Sequence, residues 1–228
     1  MAYQLTNGQK FYRAIKAIMD FFIALLSLII LSPLFIIIAI AIKIDSRGPV
    51  FFCQERVGQH GKLFKCIKFR SMSQEARHDV ASQEYADVKS YITRVGKIIR
   101  RLSIDELPQL FNMLAGNMSL IGFRPALPNE HELNHERELC NMYQIRPGIS
   151  GWAQINGRDI LAAQPKKKAQ YDAYYLQHFS LWLDIKIFFL TFAKVFKSDS
   201  IEEGVLSPTP TDEQKNEQKQ ENTQPDVV

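Results

Sequence analysis

The sequence predicts an α+β fold, rich in helix, on three observations. Residues 21–42 form an uncharged, strongly apolar run; two β-prone runs, "VFFCQERV" and "KLFKCIKF", meet across the link "GQHG"; and four stretches of helical periodicity follow, split by glycine- and proline-rich breaks. With 228 residues, 46% of them hydrophobic, the chain can bury one sizeable core. No internal repeat appears.

The first element is the apolar run. Sixteen of its 22 residues are Leu, Ile or Phe, each worth roughly −0.3 to −0.6 kcal/mol of bilayer insertion. A secretory signal peptide has a shorter apolar region and a small-residue cleavage site. A straight span is the stronger alternative, since about 20 residues cover a hydrocarbon core of about 30 Å. Against it stands Pro33, which cannot donate to the carbonyl of Ile29 and disrupts a helix interior by about 3 kcal/mol. Ser32 before it carries a hydroxyl that can satisfy the freed carbonyl. The flanks weigh more. Lys10, Arg13 and Lys16 precede the run and Lys43, Arg47 and Arg56 follow it, so both ends read as cytoplasmic by the positive-inside rule. The expectation is a re-entrant membrane helix, broken at a hairpin apex at Ser32-Pro33, that dips into one leaflet and returns.

The hairpin comes next, residues 50–69, its four-residue link carrying glycine at both ends. Helical patterns follow around 84–100, 105–115, 130–144 and 166–178. A further amphipathic stretch, Phe179 to Lys197, repeats Trp182, Ile185, Phe189, Phe192 and Phe196 on one side with Asp184, Thr191 and Lys194 on the other. It fits a helix lying in the membrane interface and equally a buried core helix. The expected organisation is a membrane segment over 1–46, one domain over 47–205, and a disordered tail over 206–228, which has no aromatic residue and too little apolar surface to offset the entropy of ordering. Because the apolar run opens at Phe21, no spanning helix is expected ahead of it.

Formal net charge is +4 and rises to +7 once the acidic tail is set aside. That balance suits anionic partners: lipid headgroups, phosphorylated substrates or nucleic acid. For nucleic acid there is no recognisable reading helix or stacking platform. Cys53, Cys66 and Cys140 are odd in number and form no CxxC pair, which argues against a disulfide framework or a zinc site. They read as small buried hydrophobes.

Chemistry concentrates in "RRLSIDELPQLFNMLAGNMSLIGFRP". Asp105 and Glu106 sit between Arg100-Arg101 and Arg124, with Lys68 on the second hairpin strand and Arg70 just after it. "SIDE" reads as a capping box, Ser103 capping and Glu106 reaching back. The same helix start could instead present N–H groups to an anion. A carboxylate approaching one phosphate charge at about 4 Å is repelled by roughly 4 kcal/mol at an effective dielectric near 20. Arginines and a hard divalent cation would offset this. The set suits attack on a sugar-linked diphosphate; it would equally suit a regulatory phosphate site.

The motifs "LSPLF", "GPVFFCQERVG", "FKCIKFRSM", "RRLSIDELPQL", "GNMSLIGFRP", "RPGISGWAQINGR" and "WLDIKI" occur in that order between about Arg13 and Ile201. In them the chain resembles the bacterial sugar transferase family, the monotopic polyprenyl-phosphate phosphoglycosyltransferases. The resemblance implies a re-entrant helix broken at Ser-Pro, seated at the cytoplasmic face of the bacterial inner membrane. It implies transfer of sugar-1-phosphate from a UDP-sugar to polyprenyl (undecaprenyl) phosphate with release of UMP, Mg²⁺ being required. Asp105 takes the position of the nucleophile that forms a covalent phosphosugar intermediate. Glu106 would serve as metal ligand or acid/base group, so both carboxylates are candidate Mg²⁺ ligands. Arg100 and Arg124 match positions near the active site, and Lys68 and Arg70 suit phosphate by type and placement. Arg158, with Gln154 and Asn156, belongs either to a structural loop or to a contact with sugar or lipid phosphate.

The chain departs from the family where Phe123-Arg124-Pro125 replaces Pro-Arg-Pro, removing the fixed backbone angle ahead of the arginine. Ser71 and Ser150 stand where threonine is common. A competing class is a non-catalytic peripheral protein that binds anionic lipid and a partner. No motif selects the sugar, the glycan or an oligomeric state.

Overall fold

The computed structural model describes residues 3–73, 91–157 and 164–196. The expected tail and the first residues of the 84–100 pattern lie outside them.

Helix α1 (Asn7–Asp45) opens on a capping box, Thr6 Oγ1 accepting from Gln9 N at 3.3 Å while Gln9 Oε1 accepts from Thr6 N at 3.0 Å. It remains helical through Pro33 to Asp45, so the hairpin apex expected at Ser32-Pro33 is not a turn of the chain. Two causes keep the helical path. The Ser32 hydroxyl donates to Ile29 O at 2.8 Å, replacing the hydrogen bond that proline removes. Leu28, Leu31, Leu34 and Phe35, which bracket the proline, all pack against the domain. Lys16, Asp20, Ala24, Ile38 and Ile42 form the buried side of the helix, whereas Phe22, Leu26, Ile29, Ile30, Ile36, Ile37 and Ile40 are exposed on the other.

Both ends of α1 are tied to the same body. Near its start, Asp184 accepts from Lys16 Nζ at 2.5 Å, Tyr12 OH at 2.6 Å and Tyr175 OH at 2.6 Å. At its end, Arg70 donates to Ser46 O at 2.7 Å and to Arg47 O at 2.8 Å.

Strands β1 (Phe51–Val57) and β2 (Leu63–Phe69) form the expected antiparallel hairpin, registered from Phe51 opposite Phe69 to Val57 opposite Leu63. Their link is a single 3₁₀ turn over Gln59–Gly61, with His60 and Gly61 at positive φ. Helix α2 (Arg94–Arg101) is capped twice, Thr93 Oγ1 accepting from Gly96 N and Asp45 Oδ2 from Val95 N, each at 2.9 Å. A 3₁₀ turn (Ile104–Glu106) leads to α3 (Gln109–Leu114), which packs on α1 through Leu110, Met113 and Ala24. Two three-residue strands, β3 (Ser119–Ile121) and β4 (Gly148–Ser150), pair in parallel. Glycine is required at their crossing: a Cβ on Gly148 would lie 2.1 Å from Gly122 N.

Helix α4 (His131–Leu139) is joined to α6 (Pro165–Gln177) by a buried pair, Arg137 Nη2 to Asp172 Oδ2 at 2.6 Å. Between them in sequence lies α5 (Trp152–Ile155). The last helix, α7 (Leu181–Phe196), reconciles the two sequence readings: Leu183 and Ile187 enter the core while Trp182, Phe189 and Phe192 face outward. Asp184, placed on the polar side by spacing, is buried instead as the acceptor for three partners.

Candidate active site

Asp105 and Glu106 lie in the 3₁₀ turn between α2 and α3, not at a capped helix start. Ser103 is left-handed (φ 54, ψ 20) and its side chain makes no cap bond. The capping box read from "SIDE" is therefore absent. The Glu106 carboxylate turns inward, 7% exposed, and accepts from three donors. Lys68 Nζ reaches Oε1 at 2.9 Å, and Arg124 grips both oxygens, Nη2 to Oε1 at 2.8 Å and Nη1 to Oε2 at 3.2 Å. Tertiary charge pairing outcompetes a local backbone bond because it is bidentate and charge-assisted. Asp105 beside it is half-buried.

This turn is held from several sides. Asn112 on α3 behaves as an extra strand partner, its Oδ1 accepting from Ile67 N at 2.9 Å and its Nδ2 donating to Lys65 O at 2.7 Å. The contact fixes α3 to β2 and so fixes Lys68 relative to Glu106. An asparagine inside the apolar "LFNML" is the signal by which sequence could have found it. Arg124 follows Phe123, which is 1% exposed, packs edge-on to Tyr143 at 5.6 Å and lies beneath the Arg137 guanidinium at 4.9 Å. Packing here supplies the restraint that a preceding proline would supply through its ring. Arg56 adds a further charge, donating to Pro125 O at 3.3 Å; burial, then the nearby Arg124 charge, lower its pKa. Cys66 is buried on β2 and burial raises its thiol pKa, so this cysteine is packing rather than chemistry.

The other candidates divide. Arg100 stands on α2, half-buried, one turn before the carboxylates. Arg70 is not presented to a ligand: the residue is buried, its guanidinium bonded to Ser46 and Arg47 at the C-terminal cap of α1. Gln154 and Asn156 donate to Ile149 O and Trp152 O, and Ser150 Oγ meets Thr191 Oγ1 at 2.6 Å, all structural bonds of the "GISGWAQIN" loop. Arg158 lies outside the described residues.

Among the described residues no three His, Cys, Asp or Glu side chains converge on a metal position. Both Glu106 oxygens face cations, and Asp105 is a hard oxygen ligand of the kind Mg²⁺ takes. One carboxylate completed by substrate phosphate oxygens is an ordinary way to hold Mg²⁺.

The fold and this site define an α+β domain built along a long, half-exposed apolar helix, with an acidic pair set in an arginine and lysine frame. The chain belongs to the bacterial sugar transferase family, whose sequence model matches residues 11–198. Relatives include an undecaprenyl-phosphate glucose phosphotransferase of Komagataeibacter xylinus, 45% identical over 77% of this chain and 35% of its own length. A UDP-N-acetylgalactosamine-undecaprenyl-phosphate N-acetylgalactosaminephosphotransferase of Aeromonas hydrophila is 45% identical over 79% of this chain and 43% of its own. An "uncharacterized sugar transferase EpsL" of Bacillus subtilis is 44% identical over 75% of this chain and 80% of its own. The chain thus spans about two fifths of the first two relatives.

Proposed function

We propose that this protein transfers sugar-1-phosphate from a UDP-sugar to polyprenyl phosphate, the step that starts a surface glycan on its lipid carrier. An Asp105 carboxylate oxygen attacks the sugar-bearing phosphorus of the donor. The bond from that phosphorus to the bridging oxygen breaks, and UMP leaves with the electron pair. A phosphate oxygen of the carrier then attacks the same phosphorus and the Asp105 carboxylate departs, giving polyprenyl-diphospho-sugar. The observation that carries this reading is the family match across residues 11–198 together with Glu106 gripping Lys68 and Arg124 beside Asp105.

In this reading Glu106 is an orienting group: it aims two cations, Lys68 and Arg124, at the donor diphosphate. Mg²⁺, held by Asp105 and phosphate oxygens, would withdraw charge from the diphosphate. Arg100 would meet a phosphate from the α2 side. The exposed apolar face of α1 and the outward aromatics of α7 would enter one leaflet, from the cytoplasmic face of the inner membrane where nucleotide sugars are found. That both ends of α1 bind the same domain supports a helix that dips into the bilayer without crossing it. Relatives named for glucose and for N-acetylgalactosamine are equally similar, 45% each, so the sugar is left to a screen.

The test is UMP release by the purified full chain with Mg²⁺, polyprenyl phosphate and a panel of UDP-sugars. One sugar at least is expected to give turnover and a protein-bound phosphosugar. Both signals vanish in Asp105→Asn. Turnover that persists in that variant overturns the role given to Asp105; none with any sugar overturns the transfer itself and leaves a non-catalytic lipid-binding protein.

A further inference from the structure

A cavity of about 370 Å³ lies between the N-terminal third of α1 and the far end of the β1–β2 hairpin. Its cations come from two places in the chain, Lys10 and Arg13 on α1 and Arg146 just before β4, with His60 of the hairpin turn beside them. The floor is apolar, with Ile121 and Phe179. Lys16 and Asp20 also border it: Lys16 pairs with Asp184 at 2.5 Å and with Asp20 at 3.9 Å, and Asp20 Oδ1 accepts from Leu120 N at 3.1 Å. Lys10, Arg13 and Arg146 have no ion-pair partner among the described residues. Arg13 is oriented by a neutral group, Nη1 donating to Gln144 O at 3.0 Å. The fold therefore gathers three cations, Lys10, Arg13 and Arg146, around one space whose single carboxylate, Asp20, is paired with Lys16, a cost that an anionic occupant would reduce.

The neighbouring surface says what carries the anion. Phe11, Ile18 and Phe21, next along α1 from the cavity wall, are 69%, 61% and 43% exposed, and Trp182 at the start of α7 is 76% exposed. Basic groups in a cleft bordered by exposed apolar and aromatic side chains match a lipid headgroup lying over its own acyl chains. The cleft is separate from the Asp105 centre. His60 and Lys68 sit at opposite ends of the hairpin, on the order of 20 Å apart at about 3.3 Å per residue.

We infer that this cleft binds the phosphate of a membrane lipid, as a second phosphate site that grips the bilayer at the start of α1. The inference rests on the membrane seat proposed above but not on catalysis at Asp105.

Native mass spectrometry of the detergent-solubilised full chain tests it, with phosphatidylglycerol, polyprenyl phosphate, phosphatidylcholine and inorganic phosphate added separately. One phosphatidylglycerol or polyprenyl phosphate per chain is expected to be retained, the former assigning the site to the bilayer and the latter to the carrier. Retention falls about five-fold for each charge removed in Arg13→Gln/Arg146→Gln. Lys10→Gln/Arg13→Gln, confined to α1, gives the same loss should the Arg146 change disturb folding. Lys167→Gln, an exposed lysine elsewhere, leaves retention unchanged. Equal retention in all these variants, or phosphatidylcholine held as well as phosphatidylglycerol, overturns the inference. UMP release and its loss in Asp105→Asn report on the active site separately, so either reading can fail alone.

Discussion

At the scale of single residues, Glu106 organises the site. Its carboxylate is the common acceptor for Lys68 and Arg124, which reach it from 38 and 18 positions away in sequence. Glu106→Gln removes the charge and leaves two cations facing a neutral amide. Loss of stability of about 1–3 kcal/mol is expected in chemical denaturation, and kcat/KM falls on the order of 100-fold as the cations drift from their aim. Unchanged kcat/KM would place the cations' orientation outside the mechanism. Lys168 shows the opposite economy. Burial first, and then the Arg137 charge, bring its amine down to about 8 from 10.5. A lysine depressed in the folded state destabilises it fully below about pH 8, and that cost fades as pH rises to about 10.5, where the unfolded chain also loses the proton. Lys168→Met is therefore expected to raise the melting temperature by a few degrees at pH 7, with the gain shrinking towards pH 10.5. A gain that does not change with pH would rule out the titration as its cause.

At the scale of elements, the parallel pair β3–β4 is where the "GFRP" and "RPGISGW" loops lock together and set the root of Arg124. Three glycines let backbones touch: added Cβ atoms would fall 2.6 Å from Arg146 O at Gly122, 2.1 Å from Gly122 N at Gly148 and 2.0 Å from Gly122 O at Gly151. Gly148→Ala should part the strands, costing about 1–3 kcal/mol or more and lowering turnover through Arg124. Gly8→Ala is the contrast, because nothing lies within 4 Å of its added Cβ in α1 and a helical alanine gains about 0.5–1 kcal/mol over glycine. Comparing the two melting curves checks both signs. The β1–β2 hairpin is legible in the sequence, since its alternation and glycine-bounded link are local signals. The β3–β4 pair is not: three residues are too few to show a period, and the partner strands lie 29 residues apart in register, Ser119 with Gly148.

At the scale of the whole molecule, the domain is strung along the inner side of α1, and the proposed seat in the membrane rests on that attachment. Impermeant labelling at Tyr3 and at Arg47 in sealed vesicles is expected to reach both from one side; labelling from opposite sides would require the domain to detach from one end of the helix. The sequence alone determined the apolar helix, the hairpin, the family resemblance and the residue types of the site, because each is written in neighbouring positions or ordered motifs. Tertiary structure alone decided that α1 stays helical through Pro33, that Ser103 does not cap, that Glu106 grips Lys68 and Arg124, and that Arg70 and Asp184 turn inward to hold α1. Apart from the Ser32 hydroxyl that bonds Ile29 O beside Pro33, the deciding partners are distant in sequence, and a buried charge is settled by whichever group the fold brings within bonding distance, which no local pattern records.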